Sequence, residues 1–345
     1  MAIPANQANT LAEYAAVRDG GAGLLDLSSR GRILVSGSEA VTFLNGLITN
    51  DMKALDVNHW MPAAFPNVQG RLIAAVRVIH KDDGFLIDTE SVTHDSVLKL
   101  VERFTLAGDF RVADLTDETS LLSIQGAKAP EVVGAALGET LANLDCYAVA
   151  TVDWQGERLT VIRATHTGED GFDVFVPKSN AEALRTAIVS AGAHPVGFDA
   201  LETLRIEAGI PRYGIDMDET NVVTETNLDE AVSFTKGCYI GQEIIARIKY
   251  RGHIAKKLTG LVFDREVALE SSGKILSTDD KEIGRVTSSA FSPRLNRTIA
   301  LGYVKYDYLK AGTTVKVDDA GHEQQTGRVT ELPFVSGSRT TTSNG

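Results

Sequence analysis

One of the two cysteines in the chain lies in the glycine-flanked stretch SFTKGCYIGQE, residues 233–243. Gly237 and Gly241 remove side chains from the approach to the Cys238 thiol. The letters GQEIIAR that follow predict a helix, so Cys238 would precede a helix N-terminus, where the helix dipole and Lys236 both favour a thiolate. A lone cysteine is also commonly a small buried apolar side chain. These residues alone leave both roles open.

A basic stretch follows the cysteine. ARIKYRGHIAKK, residues 246–257, carries five cations and no acidic residue. As a strand it would place Arg247, Lys249 and Arg251 on one face, whereas as a helix only Arg247 and Arg251 would share a face. The alternative role is an ordinary solvated surface. In a chain with a net charge of −12, the cluster suits a small polyanionic ligand better than a nucleic acid or an anionic membrane.

Composition excludes several classes of protein. The 345 residues are 43% apolar and 23% charged, which is typical of a globular protein of two or three domains. No signal peptide or uncharged apolar run of membrane-spanning length is visible, and the two cysteines are too far apart for a disulfide framework. We therefore expect a cytoplasmic protein with no membrane or nucleic-acid partner. The seven histidines lack metal-binding spacing, so we expect no metal site.

The elements that must position these residues change character along the chain. Up to Gly252, strand patterns such as RLIAAVRVIH and GFDVFVP mix with helix patterns such as NAEALRTAIVSAG. Beyond it, short runs such as KLTGLVF, EIGRVTSSAF and IALGYVKY predict a small antiparallel barrel or sandwich. We place an α+β region at 1–252, a β domain at 253–335 and a disordered tail at 336–345.

The Cys238 segment resembles the signature of a known family. KGCYIGQEIIARIKYRG is similar to the signature of the YgfZ family of folate-binding iron–sulfur cluster maturation factors. That family lies within the superfamily of the glycine cleavage T-protein, an aminomethyltransferase. Further blocks resemble the superfamily from about residue 23 to 335: GLLDLSSRGRILVSGSEAVTFLNGLITND, NVQGRLIAAVRV, LRIEAGIPRYGIDMDETNVVTETNL, ALGYV and LPFV.

This resemblance implies a ring-like, multi-lobed α+β fold with tetrahydrofolate, or a one-carbon derivative of it, in a central channel. Residues 1–252 would form two interleaved folate-binding lobes, and 253–335 an antiparallel β-barrel. Glu225 lies where T-proteins have a glutamate, and its carboxylate can accept hydrogen bonds from a pterin. Arg247, Lys249 or Arg251 could bind the anionic glutamate tail of the folate. The other residues we expect at the folate are Asn50, Asn67, Arg71, Asn227, Lys236 and Tyr239.

One departure bears on activity. Directly after the residues that match NVQGRLI, T-proteins are similar to one another in having a pair of aspartates, one of which supports methylene transfer. This chain has Ala74 and Ala75 at those positions. General acid–base groups typically contribute ~10²–10⁴-fold in rate, so this change disfavours aminomethyl transfer.

The expected function is therefore a tetrahydrofolate-binding protein that assists assembly or repair of iron–sulfur clusters through an accessible Cys238. Its partners would be client or assembly proteins, because one cysteine supplies one of the roughly four ligands that a cluster needs. The alternatives are a folate-dependent aminomethyltransferase and a scaffolding protein that has lost folate use.

Overall fold

Two open sheets and a closed barrel organise the chain. The computed structural model describes residues 5–338 except 83, 104, 106–107, 253, 270–271 and 319–322. No described helix is long and apolar enough to cross a membrane. The α-helices are α1 (Ala5–Arg18), α2 (Ala40–Leu47), α3 (His94–Glu102), α4 (Ala129–Leu137), α5 (Ala181–Ser190), α6 (Phe198–Glu207) and α7 (Gln242–Arg251).

The strands are β1 (Gly23–Asp26), β2 (Gly31–Ser36), β3 (Trp60–Pro66), β4 (Leu72–Lys81), β5 (Gly84–Thr89), β6 (Arg111–Asp114), β7 (Thr119–Gln125), β8 (Val149–Trp154), β9 (Glu157–Arg163), β10 (Gly171–Pro177), β11 (His194–Pro195), β12 (Lys256–Phe263), β13 (Lys274–Leu276), β14 (Glu282–Ser292), β15 (Arg297–Lys305), β16 (Thr314–Asp318) and β17 (Gln325–Thr330). The first open sheet has the order β11-β1-β7-β10-β9-β8, and the second has the order β3-β4-β5-β2-β6.

The two open sheets pack face to face. α4 and α5 contribute to the core on one side of the first sheet, and α2 and α3 to the core on one side of the second. A third core lies between the sheets and contains Trp60 and Ile79 from the second sheet together with Leu121 and Phe175 from the first. Strands buried on both faces lose the polar–apolar alternation of half-exposed strands, as GFDVFVP illustrates, since six of its seven residues are buried.

The C-terminal unit is a closed antiparallel barrel with the order β12-β15-β14-β13-β16-β17. Its interior is filled by alternate apolar residues such as Leu261, Phe263, Val286 and Val317. Of the two predicted architectures, barrel and sandwich, the barrel is therefore confirmed, together with the α+β fold class. Its first strand begins at Lys256.

Asp216 joins the barrel to the rest of the chain. Its fully buried carboxylate accepts hydrogen bonds from the Arg205 guanidinium at 2.7 Å and from the Arg212 backbone N–H at 3.0 Å. The hydroxyls of Thr287 and Ser288, on β14, donate to the same carboxylate at 2.6 and 2.7 Å. One buried charge thus fixes the orientation of β14 relative to α6.

The beginning of the tail that we expected to be disordered makes defined contacts. Ser338 donates its backbone N–H to the Glu169 carboxylate at 2.7 Å, and its hydroxyl accepts from the Asp170 N–H at 3.1 Å. These hydrogen bonds compensate for the scarcity of apolar residues on which the expectation rested. Residues 339–345 of that segment lie outside the described residues.

Replacing Asp216 by alanine should lower the free energy of unfolding by about 3–5 kcal/mol, because the buried Arg205 loses part of its charge compensation. Asp264→Ala is the control, since Asp264 and its partner Arg328 are both exposed. That change should cost less than about 1 kcal/mol. Urea unfolding followed by circular dichroism measures both variants, and equal losses would contradict the anchoring role.

Candidate functional site

The Cys238 loop packs against the turn at residues 67–70. Cys238 itself is exposed, which agrees with an accessible thiol and contradicts a buried apolar role. Gly241 has a φ of +77°, and a Cβ there would lie 2.4 Å from the Asn67 carbonyl oxygen. Only glycine fits both the left-handed backbone and the close approach. α7 begins at the next residue, so three residues separate the thiol from the helix.

Lys236 anchors this loop to the end of α2. Its buried ammonium donates to the carbonyl oxygens of Asn45 at 2.8 Å, Ile48 at 2.9 Å and Asn50 at 2.6 Å. Ile240 adds a backbone hydrogen bond to the Gly46 carbonyl at 3.1 Å. The last carbonyls of a helix lack intrahelical partners and favour a cation, so the loop caps α2.

This geometry corrects the role that we predicted for Lys236. An ammonium has three donors, and all three are used by the fold. Lys236 therefore has no donor left for a folate, contrary to our expectation. Burial lowers the pKa of Lys236 to about 8, because leaving water disfavours the charged form.

Three other predicted folate residues are engaged by the backbone. Asn50 donates to the carbonyls of Pro62 at 2.8 Å and Glu230 at 3.0 Å. The Asn67 side-chain oxygen accepts from the Gln69 and Arg71 N–H groups at 2.9 and 3.0 Å, which forms a side-chain-stabilised turn. Arg71 donates to the Thr220 carbonyl. The structure gives these residues roles in shaping loops.

Glu225, Asn227 and Tyr239 are likewise built into the fold. Glu225 is buried and accepts from the Val222 N–H at 3.2 Å. Asn227, with a φ of +60°, donates to the Leu258 carbonyl at 2.9 Å and so holds the first barrel strand. Tyr239 lies over the Lys236 ammonium, and burial raises the pKa of its phenol to about 12.

The basic stretch takes the helical alternative. α7 runs to Arg251, so Arg247 and Arg251 share a face, while Lys249 stacks on Phe234 with its Nζ 5.0 Å from the ring centroid. Arg247 lines an open groove together with the exposed Tyr250. The side chain of Arg251 lies outside the described residues.

A separate cavity of about 90 Å³ lies beside α6, and none of the predicted folate residues lines it. Its apolar surface includes Leu27, Leu201 and Ile210. Its charged and polar surface comprises Ser29, Arg30, Glu90, Ser91, His166, Glu202, Arg205 and Arg212. Apolar walls with a few charged groups are typical of a small-molecule site, although this cavity is smaller than most ligand pockets.

Behind the cavity wall lies a buried ionic network between the two open sheets. Asp88 accepts from Arg30 at 2.7 Å and from Arg77 at 2.8 Å. Arg77 also donates to Asp173 at 2.5 Å, and Asp173 lies 2.9 Å from Nε2 of His166. Both carboxylates are fully buried.

Burial raises the pKa of both carboxyls, but their partners outweigh it. Arg30 and Arg77 hold the pKa of Asp88 below its usual range. His166 and Arg77 hold that of Asp173 well below its usual range. Both carboxylates are therefore ionised at neutral pH.

Sequence reasoning missed this network, although a signal was present. Arg77, Asp88 and Asp173 are charged residues surrounded by apolar ones, within RLIAAVRVIH, GFLIDTE and GFDVFVP. A charge in such a strand must be paired once the strand is buried on both faces.

Ala74 and Ala75 lie on β4, opposite Phe65 and Ala64 of β3. Ala74 is fully buried in the core beneath the second sheet, and Ala75 is only partly buried. Residues two apart in a strand share a face, so Ala75 lies on the face that carries Arg77. Arg77 is paired there with Asp88, which lies opposite it on β5.

Comparison with known proteins shows the family. Residues 4–236 match the GCVT N-terminal domain, and residues 256–336 match the glycine cleavage T-protein C-terminal barrel domain. The chain belongs to the glycine cleavage T-protein family, whose members use tetrahydrofolate.

Individual relatives span almost the whole chain. An aminomethyltransferase of Alcanivorax borkumensis is 31% identical over 96% of this chain and 90% of its own. One of Chlorobaculum parvum is 31% identical over 98% and 93%, respectively. The glycine cleavage system aminomethyltransferase T from Bartonella henselae has a similar structure, with a TM-score of 0.86 over 95% of this chain and 90% of that chain, at 24% identity. These comparisons show the T-protein family and fold, and nothing in them is specific to the YgfZ family.

The side chains that line the cavity are of the types that a reduced folate contacts, but its volume holds only part of such a molecule. A pterin needs apolar contact on its faces and charged or polar partners at its edge, and the glutamate tail needs cations. Leu27 and Leu201 offer the apolar contact, Glu90 and His166 offer the polar partners, and Arg212 offers the cation.

Lys236→Met should lower the free energy of unfolding by about 2–4 kcal/mol, because three carbonyls at the end of α2 lose their donor. Lys249→Met in α7 is the control, since it loses only a cation–π contact of about 1 kcal/mol or less. Urea unfolding of both variants measures the difference. Losses of the same size would contradict the capping of α2 by Lys236.

Proposed function

We propose that this protein binds tetrahydrofolate, or a one-carbon derivative, in the cavity beside α6 and uses Cys238 to assist assembly or repair of iron–sulfur clusters in client proteins. The proposal rests on the exposed thiol of Cys238. Lys236 fixes the loop that carries this thiol to the end of α2. The resemblance of this segment to the YgfZ signature supports the same function. The alanines at positions 74 and 75 argue against transfer chemistry.

In this proposal the cavity residues bind and orient the folate. Leu27 and Leu201 exclude water from the flat faces of the ring, and Arg212 lies on Phe198 with its guanidinium carbon 4.3 Å from the ring centroid. The same guanidinium donates to Glu202 at 2.7 Å, which also holds it in place, and its remaining N–H groups can meet a carboxylate of the glutamate tail. A bound reduced folate supplies a carrier for one-carbon units.

A series of contacts joins the cavity wall to the Cys238 loop. From His166 it runs through Asp173 and Arg77 to Trp60, whose ring lies 4.9 Å from that of Tyr147. The Tyr147 hydroxyl donates to the Glu230 carboxylate, Asn50 donates to the Glu230 carbonyl, and Lys236 donates to the Asn50 carbonyl. Folate binding and the position of the thiol can therefore be coupled through packed side chains.

Cys238 would supply one thiolate to a cluster or to a mixed disulfide with a partner. Cys146, the other cysteine, is half-buried and lines a separate small pocket with Arg163 and Asp170. The remaining ligands of a cluster would come from the client or assembly protein.

The comparisons favour a second candidate, folate-dependent aminomethyl transfer, because the relatives described above carry that name. This activity would need a proton-handling group at a position other than 74 or 75. Asp173 is close to the cavity, but Arg77 and His166 hold it as a carboxylate, so it is a poor proton donor. The first proposal therefore fits the side chains better.

Cys238→Ser should fold normally and keep its folate affinity, because serine is close in size and the residue is exposed. It should fail to restore the activity of iron–sulfur enzymes in a strain that lacks this protein and is under oxidative stress. Cys146→Ser is the matched control and should restore that activity.

Full restoration by Cys238→Ser and by Cys238→Ala would show that the function does not need the thiol. Loss of activity with both Cys146→Ser and Cys238→Ser, accompanied by lower stability, would show that the cysteines act through packing and not through thiol chemistry. Enzyme activities and protein levels in the same cells distinguish these results.

A further inference from the structure

Two large apolar side chains beside the Cys238 loop are exposed to solvent. Val68 is 79% exposed and Tyr250 is 67% exposed, and no other large apolar side chain among the described residues is as exposed as either. Single exposed apolar side chains are common, but a group of them around one loop is typical of an interaction site.

Both side chains belong to segments that pack against this loop. Val68 follows Asn67, whose carbonyl oxygen lies against Gly241 at the end of the loop. The ring of Tyr250, on α7, packs edge-to-face on that of Phe234 near the start of the loop, with the ring centroids 6.3 Å apart. The turn, the loop and the helix therefore form one connected surface. We call it the Cys238 surface and define it by Val68, Phe234, Cys238, Arg247 and Tyr250.

The Cys238 surface is open to a partner at the thiol. Cys238 is exposed, and a Cβ added at Gly237 would have no atom within 4 Å. Gln242 donates to the Gly237 carbonyl at 3.4 Å and lines an open groove with Arg247 and Tyr250. A partner segment in this groove would therefore lie beside the thiol without displacing any part of the loop.

The charge of this surface is opposite in sign to that of the chain. Arg247 and Lys249 are exposed on α7, and the ammonium of Lys236 lies beneath the loop. Two carboxylates oppose these three cations: Glu243 on α7, and Asp51, which is close enough to interact with Lys236. The N-terminus of α7 adds a partial positive charge. Because the whole chain has a net charge of −12, an acidic partner is attracted to this surface and repelled elsewhere.

We propose that the Cys238 surface docks a client or assembly protein that presents a cysteine flanked by acidic and apolar residues. This proposal rests on the function proposed above and adds the chemistry of the partner. The partner would bury Val68 and Tyr250 and pair a carboxylate with Arg247, since aromatic residues and arginine are enriched at protein interfaces. A small anionic thiol would use the charge alone, so a dependence on Val68 distinguishes a docked protein segment from it.

Thiol–disulfide exchange with two peptides tests the proposal. The full-length Cys146→Ser protein is used, because Cys238 is then its only thiol. Each peptide has one cysteine, joined in a disulfide to 2-thiopyridine. One peptide carries leucine and aspartate beside the cysteine, and the other carries leucine and lysine. The Cys238 thiolate attacks the peptide sulfur, the bond to thiopyridine breaks, and the released thiopyridine takes up a proton to give 2-thiopyridone, whose absorbance reports the rate.

We expect the aspartate peptide to react about 10-fold faster than the lysine peptide at low ionic strength. The rate of each peptide with 2-mercaptoethanol corrects for its intrinsic reactivity. The preference should shrink as salt is added, because exposed charges are screened.

Matched variants assign the preference to the surface. Arg247→Gln should reduce it about threefold, whereas Arg294→Gln, at an exposed arginine between β14 and β15, should leave it unchanged. Val68→Ser should slow the aspartate peptide about threefold by removing apolar contact. Val92→Ser is the control for that change, since Val92 is 66% exposed and lies away from the loop.

Equal corrected rates for the two peptides, or equal effects of Arg247→Gln and Arg294→Gln, would overturn the docking surface and leave the proposed function standing. A preference for aspartate that is insensitive to Val68→Ser would show steering of anions without docking, and would also overturn it. Restoration of iron–sulfur enzyme activity by Cys238→Ser would instead contradict the proposed function, and with it the identity of the partner.

Discussion

The two open sheets can face each other only because the charges between them are paired. Asp88 and Asp173 are fully buried, and isolated carboxylates in such a place would cost several kcal/mol each. Arg30, Arg77 and His166 offset that cost from three different segments. Removing one partner would leave an uncompensated charge, so this network fixes how β4, β5 and β10 meet. The network also positions part of the cavity wall, because Arg30 and His166 belong to the network and line the cavity.

The same face of the second sheet bears on the choice between the two proposed functions. Position 75 is alanine, and Arg77 on the same face is a cation already bound to two carboxylates. A guanidinium that is fully engaged by two carboxylates cannot take up a proton. In the proposed function the family fold and its folate are retained, and the exposed Cys238 is the reactive group on another surface.

Much of the architecture could be predicted from the sequence, and the reasons are local. Short alternating runs after Gly252 predict strands, and six of them in antiparallel order close a barrel. The glycines around Cys238 indicate an open, tightly turned loop, and the structure shows an exposed thiol there. The helical or extended state of the basic stretch was ambiguous, because both periods fit so short a segment.

The residues of the proposed folate site could not be predicted from the sequence in the same way. Lys236 is two residues before Cys238, but its side chain donates to carbonyls at the end of α2, and sequence spacing does not show these partners. Glu225, Asn227 and Asn67 are polar residues in loops. In the sequence, a polar loop residue that shapes the backbone cannot be distinguished from one that binds a ligand. The cavity combines residues from distant segments, so only the folded chain brings Arg30, His166 and Arg212 together.

The most direct test of the account is a single-turnover assay of methylene transfer from an aminomethylated lipoyl carrier protein to tetrahydrofolate. A T-protein assayed in parallel provides the reference, and calorimetry on the same sample establishes that folate is bound. We expect this protein to bind tetrahydrofolate and to form 5,10-methylenetetrahydrofolate no faster than the uncatalysed mixture. A transfer rate comparable to that of the reference T-protein would contradict it.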